Sequence, residues 1–424
     1  MGVDTMTSTL ESALLRLAHK QSASPHEDFT ETLSRSLHAI RTHLNMDVGF
    51  ISEFVNDRRY FRYVDADNQD AVICVGQSDA LEDSFCQRVV DGRLPGLLTD
   101  ACLHPEALTL PATQALPVGA HLSAPIRLSN GRIFGTLCCF SARADHSLNG
   151  RDIAMLQVVS DMLAGHIEAR LQEQRAQTDI ESRIALAMEP DHMRSVYQPI
   201  WDLTQQRLVG FEALTRFQCG PAQSPEQWFM EAAQADLGTM MEIHAIECAV
   251  QALHHLPESI YLAINASPRT VVSPELSQLL AGLPLDRLVL EITEHEVVDA
   301  TMYTHIAHIT RSLRDAGLRV AVDDAGAGYA SFKHILHLAP DIIKLDVSMT
   351  RDIDRDLSRQ ALAAALVRFA ESTHGRLVAE GVETDAELAT LRQLGVGLAQ
   401  GYALGKPMPL EQALHLTRTA SQQT

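Results

Sequence analysis

The stretch "RLVLEITEHEVVDATMYTHIAHITRSLRDAGLRVAVDD" (Arg287–Asp324) is an apolar run, a helical stretch and a second apolar run. "RLVLEIT" and "RVAVDD" are short and apolar on successive residues, as strands buried on both faces are. "MYTHIAHITRSLRDAG" between them reads as a helix. Two strands joined through a helix make a βαβ unit, in which the strands run parallel. The alternation fills the chain from about Met193. "SVYQPIWDL" and "LVGFEALTRF" open it, helices follow in "SPEQWFMEAAQAD" and "TMMEIHAIECAVQALHHL", and then come "IYLAINAS" and a helix from Pro274. Beyond Asp324 stand "IIKLD", "LSRQALAAALVRFAESTHG", "RLVAEGV", "DAELATLRQLG" and "LAQGYAL". So many βα units predict an α/β fold, a closed (β/α)8 barrel of the TIM type. An open doubly wound sheet is the alternative, but it would normally carry a Gly-rich phosphate turn after its first strand, and none is present.

The polar residues fall at the strand ends. Val209–Phe217 alternates with period 2, and one face of it carries Glu212 and Arg216 amid apolar residues. Asn265 ends "YLAIN", Glu291 ends "LVLE" with Glu294 three residues on, and Asp323 and Asp324 end "RVAVDD". Lys344 and Asp346 end "IIKLD", Glu380 and Glu383 end "LVAEGVE", and Gln400 ends "GLAQ". In a barrel these ends meet at the C-terminal rim, where barrel active sites lie. A single acid at a strand end is explained by capping the next helix. Acids and amides from five strands at one rim would repel unless protons or metal neutralise them. Glu212, Asn265, Glu291, Asp323, Asp324 and Glu380 form an all-oxygen set, which suits Mg²⁺ or Mn²⁺ and disfavours zinc. On this reading Glu212 is kept inside for a cation and Arg216 for an anion, with Lys344 a second buried positive charge. Such a site fits a phosphoester. His254, His255, His305 and His308 read as surface residues.

The totals bound the rest. The chain has 424 residues, enough for two domains, and its formal net charge is −20. A surface that acidic repels polymeric nucleic acid and anionic membrane. The seven cysteines are scattered without a C-x-x-C, so neither a disulfide framework nor a zinc ribbon is expected, and Cys138–Cys139 falls in "GTLCCF", which reads as a buried strand. No run approaches the roughly 18 apolar residues of a membrane span. The first residues lack the order of a signal peptide, so a cytoplasmic location is expected.

The first part reads as an amphipathic helix ("DFTETLSRSLHAIRTHL"), a hairpin turning at Asn56–Asp57 and another turning at Asn130–Gly131. A long helix follows, with Ile153, Leu156, Val159, Leu163, Ile167 and Leu171 on one stripe. It either packs on its own domain or pairs with its twin in a dimer. This block, over 28–166, resembles a GAF domain, with a helical tail over 1–27 and a linker helix over 167–190. The resemblance implies an unknown small ligand or signal. Cys102 and His104 in "ACLHPE" are read as incidental.

The block over 191–418 resembles EAL-domain phosphodiesterases, which hydrolyse cyclic di-GMP. The resemblance rests on "YQPI" (197–200), "FEALTR" (211–216), "AINASP" (263–268), "EITE" (291–294), "DDAGAGYAS" (323–331), "KLD" (344–346), "AEGVE" (379–383) and "QGYALGKP" (400–407). It implies two metal ions, one held by Glu212, Asn265, Glu291 and Asp323, the other sharing Asp323 and adding Asp324 and Glu380. It implies that Leu214, Arg216 and Gln400 hold the dinucleotide and that Glu294 steadies the loop after the aspartates. Lys344 is expected to position the attacking water, and Glu380 or the metal-bound hydroxide itself to take its proton. Ala325, Ala327 and Ala330 depart from many members, while Gly326 and Gly328 remain. A homodimer that cleaves cyclic di-GMP to pGpG under control of the first domain is expected. The alternative is an inactive module that binds cyclic di-GMP or a protein. Such a module usually lacks one of the acids, and here none is missing.

Overall fold

The structure is a computed structural model and describes residues 25–67, 73–115, 118–293, 299–325 and 335–420. Its contacts divide the chain into two units, Met1–Ala176 and Gln177–Thr424.

The first unit is built on an antiparallel sheet of β1 (Val48–Val55), β2 (Arg58–Ala66), β3 (Ser78–Ala80), β4 (Leu97–Leu98), β5 (Ala120–Arg127) and β6 (Ile133–Ser141). Their spatial order is β3-β2-β1-β6-β5-β4. Asn56 and Asp57 both have positive φ, 49° and 60°, which a type I′ hairpin turn demands and these residue types tolerate. Alternation along the strands sorts the side chains between two faces. Ile51, Leu122, Ala124, Leu137 and Cys139 meet Leu33 and Leu37 of the helix Pro25–His43, and Leu156 and Val159 of the helix Gly150–Ala187. The alternate positions Phe50, Phe61 and Cys138 form a second cluster with Ile73 and Cys86.

The second unit is a closed barrel of β7 (Met193–Asp202), β8 (Arg207–Phe217), β9 (Tyr261–Ala266), β10 (Leu288–Ile292), β11 (Arg319–Ala325), β12 (Ile342–Leu345), β13 (Arg376–Ala379) and β14 (Leu398–Ala399). One strand departs from the expected βα repeat. β7 runs antiparallel to both of its neighbours, β8 and β14. The reason is the connection Leu203–Gln206, which is a hairpin and too short for a helical crossover. Asp202 fixes that turn by accepting from the N–H groups of Thr204 (3.0 Å) and Gln205 (2.9 Å). The other neighbours run parallel. Helices on the outside start at side-chain caps: Ser224 and Thr384 with full capping boxes, Asp299 accepting from one backbone N–H and Asp356 from two.

The strands' inner faces carry a small apolar layer of Tyr261, Ala263, Val289, Ala321, Ile342, Val378 and Leu398. Gly210 belongs to the same level of β8. A Cβ there would stand 2.6 Å from the Tyr261 ring, so the ring takes the space that a side chain on β8 would need. This layer is the floor on which the site is built.

Candidate active site

Two residues beyond the floor on each strand, the same inward face holds polar groups. Ala263 is followed by Asn265, Val289 by Glu291, Ala321 by Asp323, Ile342 by Lys344, Val378 by Glu380 and Leu398 by Gln400. Glu380 and Gln400 lie just past their strands, but Glu380 N–H donates to Leu345 O (3.1 Å) and Gln400 N–H to Ala379 O (2.8 Å), so the ladder continues. Glu212 takes the matching place on β8, two residues after Gly210. The site is therefore one layer of a barrel in which apolar side chains have given way to acids, amides and one lysine.

Lys344 stands at its centre, 1% exposed. Its Nζ lies 2.6 Å from Glu291 Oε2, 2.7 Å from Glu380 Oε1, and 3.4 Å from both Glu212 Oε1 and Asp323 Oδ1. Asn265 Nδ2 donates to Glu212 Oε1 at 3.0 Å. Gln400 Nε2 donates to Glu212 Oε2 (2.7 Å) and Glu380 Oε1 (2.8 Å). Glu212 thus has both oxygens bound, and its neighbours hold it from three sides.

Four acids round one ammonium leave three surplus negative charges if all ionise (four minus one). That cannot persist in a buried site without neutralisation. Burial pushes the Glu291 and Glu380 carboxyls well above the usual range, against the pull of Lys344 and with the help of the neighbouring acids. Burial acts the same way on Glu212, but Lys344 and the hydrogen bonds from Asn265 and Gln400 outweigh it and hold this carboxyl below its ordinary value. Burial would lower the Lys344 ammonium, yet Asp323 and the three glutamates hold it well above its ordinary value. Lys344 is therefore charged and is no base in this state.

The structure thus brings together Glu212, Asn265, Glu291, Asp323, Lys344, Glu380 and Gln400. The side chain of Asp324, Glu294, and Gly326–Ala330 of the loop lie outside the described residues. Arg216 is exposed, contrary to the expectation that it is kept inside. It lies two alternations beyond Glu212 on β8, past the buried part of the strand, where its Nη1 donates to Thr215 O (2.8 Å). Leu214, between them on the same face, is half-buried. Asp346 turns away to cap the helix Val347–Thr350, and Glu383 pairs with Arg351 at 3.0 Å. His254, His255, His305 and His308 are exposed, and so is Cys102.

Two partners escaped the sequence reading. Thr350 Oγ1 donates to the carbonyl of Glu380 and fixes its backbone. Gln198 pairs in register with Glu212 across β7 and β8 and is 9% exposed. Its place in "YQPI" was visible, but its register opposite Glu212 was not. The central place of Lys344 was not legible either, since it depends on how the barrel closes.

The donor set fits hard divalent cations. It is all oxygen, it carries surplus negative charge, and Gln400 Oε1 is a buried acceptor with no hydrogen-bond partner. Among the described residues no three acidic, histidine or cysteine side chains are disposed to hold an ion by themselves. The Lys344 ammonium takes the centre of the ring, and Asp323 and Glu380 are its more exposed acids (17% and 15% of their side chains).

Comparison with known proteins agrees with this geometry. Residues 181–407 match the family model described as EAL domain, and residues 26–168 match that described as GAF domain. A protein of Escherichia coli (strain K12) named probable cyclic di-GMP phosphodiesterase PdeD is 29% identical over 265 residues, covering 60% of this chain and 48% of the relative. Cyclic di-GMP phosphodiesterase NbdA of Pseudomonas aeruginosa is 30% identical over 246 residues, covering 54% of this chain and 31% of the relative. A solved structure described as PaMucR phosphodiesterase in complex with c-di-GMP is 25% identical with a TM-score of 0.50, covering 55% of this chain and 99% of that chain. The chain spans less than half the length of these two curated relatives. Among the described residues no helix is long and apolar enough to cross a membrane.

Proposed function

The chain belongs to the EAL domain family, and from that premise we propose that it hydrolyses cyclic di-GMP to linear pGpG with two divalent cations, Mg²⁺ or Mn²⁺. The observation that carries this reading is the ring of oxygen donors round Lys344, gathered from separate strands at one barrel mouth. Glu212, Asn265, Glu291 and Asp323 would hold one ion, and Asp323, Asp324 and Glu380 the other. Bound there, the ions supply Lewis acidity at the phosphate and lower the pKa of water.

The chain's own groups do the rest. Water attacks one phosphorus in line with the departing 3′ oxygen. Lys344, firmly charged, positions that water and offsets charge, and Glu380 in its ionised form accepts the proton. Arg216, exposed on β8 beyond Glu212, offsets charge on the phosphate from the solvent side. Leu214 and Gln400 hold the dinucleotide, and Glu294 steadies the loop after Asp324. The first unit regulates this activity in response to a ligand or signal, and the working form is a homodimer.

The test is to incubate the purified chain with cyclic di-GMP and Mg²⁺ or Mn²⁺ and separate the guanine dinucleotides by anion exchange. pGpG should accumulate, stop on addition of EDTA, and be absent with Glu212→Ala. Near-normal hydrolysis by that variant would refute the assignment of the ring, and no product with either metal would refute the activity.

A further inference from the structure

The first unit holds a group of reactive side chains that the hydrolytic site does not use. Cys86, in the helix Phe85–Val90, and Cys138, on β6, are both fully buried, and their Sγ atoms lie 3.5 Å apart. Arg59 Nη1 lies 3.0 Å from Cys86 Sγ, and the same guanidinium donates from Nε to Asp79 Oδ1 at 3.0 Å. Cys138 Sγ is in turn 3.1 Å from Ser123 Oγ and 3.2 Å from Thr136 Oγ1. A guanidinium beside one thiol and hydroxyls beside the other is a polar setting inside an otherwise apolar cluster of Phe50, Phe61 and Ile73.

Burial by itself would push the Cys86 thiol up. The hydrogen bond from Cys138 and the charge of Arg59 outweigh it and hold the thiol at about 6, whereas burial and the neighbouring Cys86 push Cys138 well up. Arg59 thus biases Cys86 toward the thiolate while Cys138 keeps its proton, and the two sulfurs lie 3.5 Å apart, the arrangement of an attacking and a resolving cysteine.

Arg59, Phe50 and Phe61 also line a small cavity of about 30 Å³ with Phe85, His121 and Phe140; neither sulfur is in that lining, and Arg59 is the lining residue that touches Cys86. Such a volume admits a molecule of about the size of water and little more. His121 is 2% exposed and its Nδ1 has no hydrogen-bond partner, while its ring lies against Phe85 at 4.8 Å. Burial and Arg59 push its imidazole down to about 3, so it is neutral. The cavity thus offers a cationic donor in Arg59 and an unsatisfied ring nitrogen in His121, which suits a small molecule bearing O–H groups and lone pairs.

We propose that Cys86 and Cys138 are a peroxide-sensitive dithiol, which hydrogen peroxide reaching the cavity beside Arg59 and His121 converts to a disulfide. The Cys86 thiolate attacks one peroxide oxygen. An S–O bond forms, the O–O bond breaks, and hydroxide leaves and takes up the proton that Cys86 had released. Cys138 then attacks the sulfenic sulfur. The S–S bond forms, the S–O bond breaks, and the Cys138 proton departs with the hydroxyl as water. Each sulfur gives up one electron, and one peroxide is reduced to two waters.

The test treats the full chain at pH 7 with a small excess of hydrogen peroxide, blocks remaining thiols with N-ethylmaleimide in denaturant, and maps the digest by mass spectrometry. The expected product is one peptide pair joining Cys86 to Cys138, lighter by the two lost hydrogens and reopened by dithiothreitol. Arg59→Gln should slow its formation about tenfold by returning Cys86 toward an ordinary thiol. Oxidised glutathione, too large for the cavity, should leave the pair reduced. The proposal falls if the cross-link is absent while the exposed Cys74 and Cys102 are oxidised. It also falls if oxidised glutathione forms the bond as fast as peroxide does, or if Arg59→Gln reacts at the unaltered rate. The first arm needs no variant, so a folding defect in Arg59→Gln leaves it decisive.

Discussion

Replacing Lys344 with Met removes the ammonium that four acids share at 2.6, 2.7, 3.4 and 3.4 Å and leaves a side chain of similar length. The cheapest repair is for one more carboxylate to take a proton. Glu291 and Glu380 already incline to the protonated form, so the burden falls on Glu212, which Lys344 holds ionised. Keeping a proton on a glutamate of ordinary pKa, about 4.3, costs about 3.7 kcal/mol at pH 7 and about 1 kcal/mol at pH 5. The larger figure falls inside the roughly 3–5 kcal/mol lost when one partner of a buried ion pair is removed. The sign follows from proton counting. Near neutral pH the folded variant binds one proton more than its unfolded chain, so its stability rises as the pH falls. The deficit against the unaltered chain should therefore shrink by about 1.4 kcal/mol per pH unit between pH 7 and pH 5. Both tryptophans, Trp201 and Trp228, lie in the second unit, so urea unfolding followed by their fluorescence, in EDTA, reports on the barrel. A deficit below about 1 kcal/mol at pH 7, or one that does not change with pH, would refute the role given to Lys344 as the counter-charge of the ring.

Glu387, 4% exposed, accepts from the N–H groups of Asp352, Glu383 and Thr384, each at 2.9 Å. Glu387→Ala should cost about 3 kcal/mol at neutral pH in the same unfolding measurement. Burial pushes this carboxyl up, but the backbone donors outweigh it and leave it below its ordinary value. The stabilisation is therefore present above the unfolded value of about 4.3 and fades as the pH falls through the lower folded value, so the variant and the unaltered chain should converge in acid. Gly210→Ala should destabilise the barrel by about 1–3 kcal/mol, because its Cβ collides with the Tyr261 ring, and adding Tyr261→Ala should remove that clash. Gln400→Ala should raise the Mn²⁺ concentration needed for half-maximal hydrolysis by about 10- to 100-fold, since it frees Glu212 and Glu380 from their shared donor. An unchanged metal titration would count against that positioning role.

The apolar runs in Arg287–Asp324 and the helical stretch between them made the βαβ repeat legible, because hydrophobic periodicity is a local property. The polar residues that follow each run were legible for the same reason. Period 2 carries Asn265, Glu291 and Asp323 onto the face of Ala263, Val289 and Ala321 whatever the rest of the chain does. Backbone length alone would also have revealed the exception at β7, since Leu203–Gln206 cannot hold a crossover helix.

Closure decided the rest. Lys344 is 132 positions from Glu212 and reaches 3.4 Å from it only because β8 and β12 face each other across a closed barrel. A ring of acids with a lysine at its centre is a property of that closure and not of any motif. Cys86 and Cys138 are likewise 52 positions apart in sequence and 3.5 Å apart in space, since the helix Phe85–Val90 packs onto the sheet that holds β6. Sequence patterning sets which face a side chain joins, because that depends on the geometry of one strand. The distances between charges set their protonation and their chemistry, and those depend on which strands the hydrophobic core brings together.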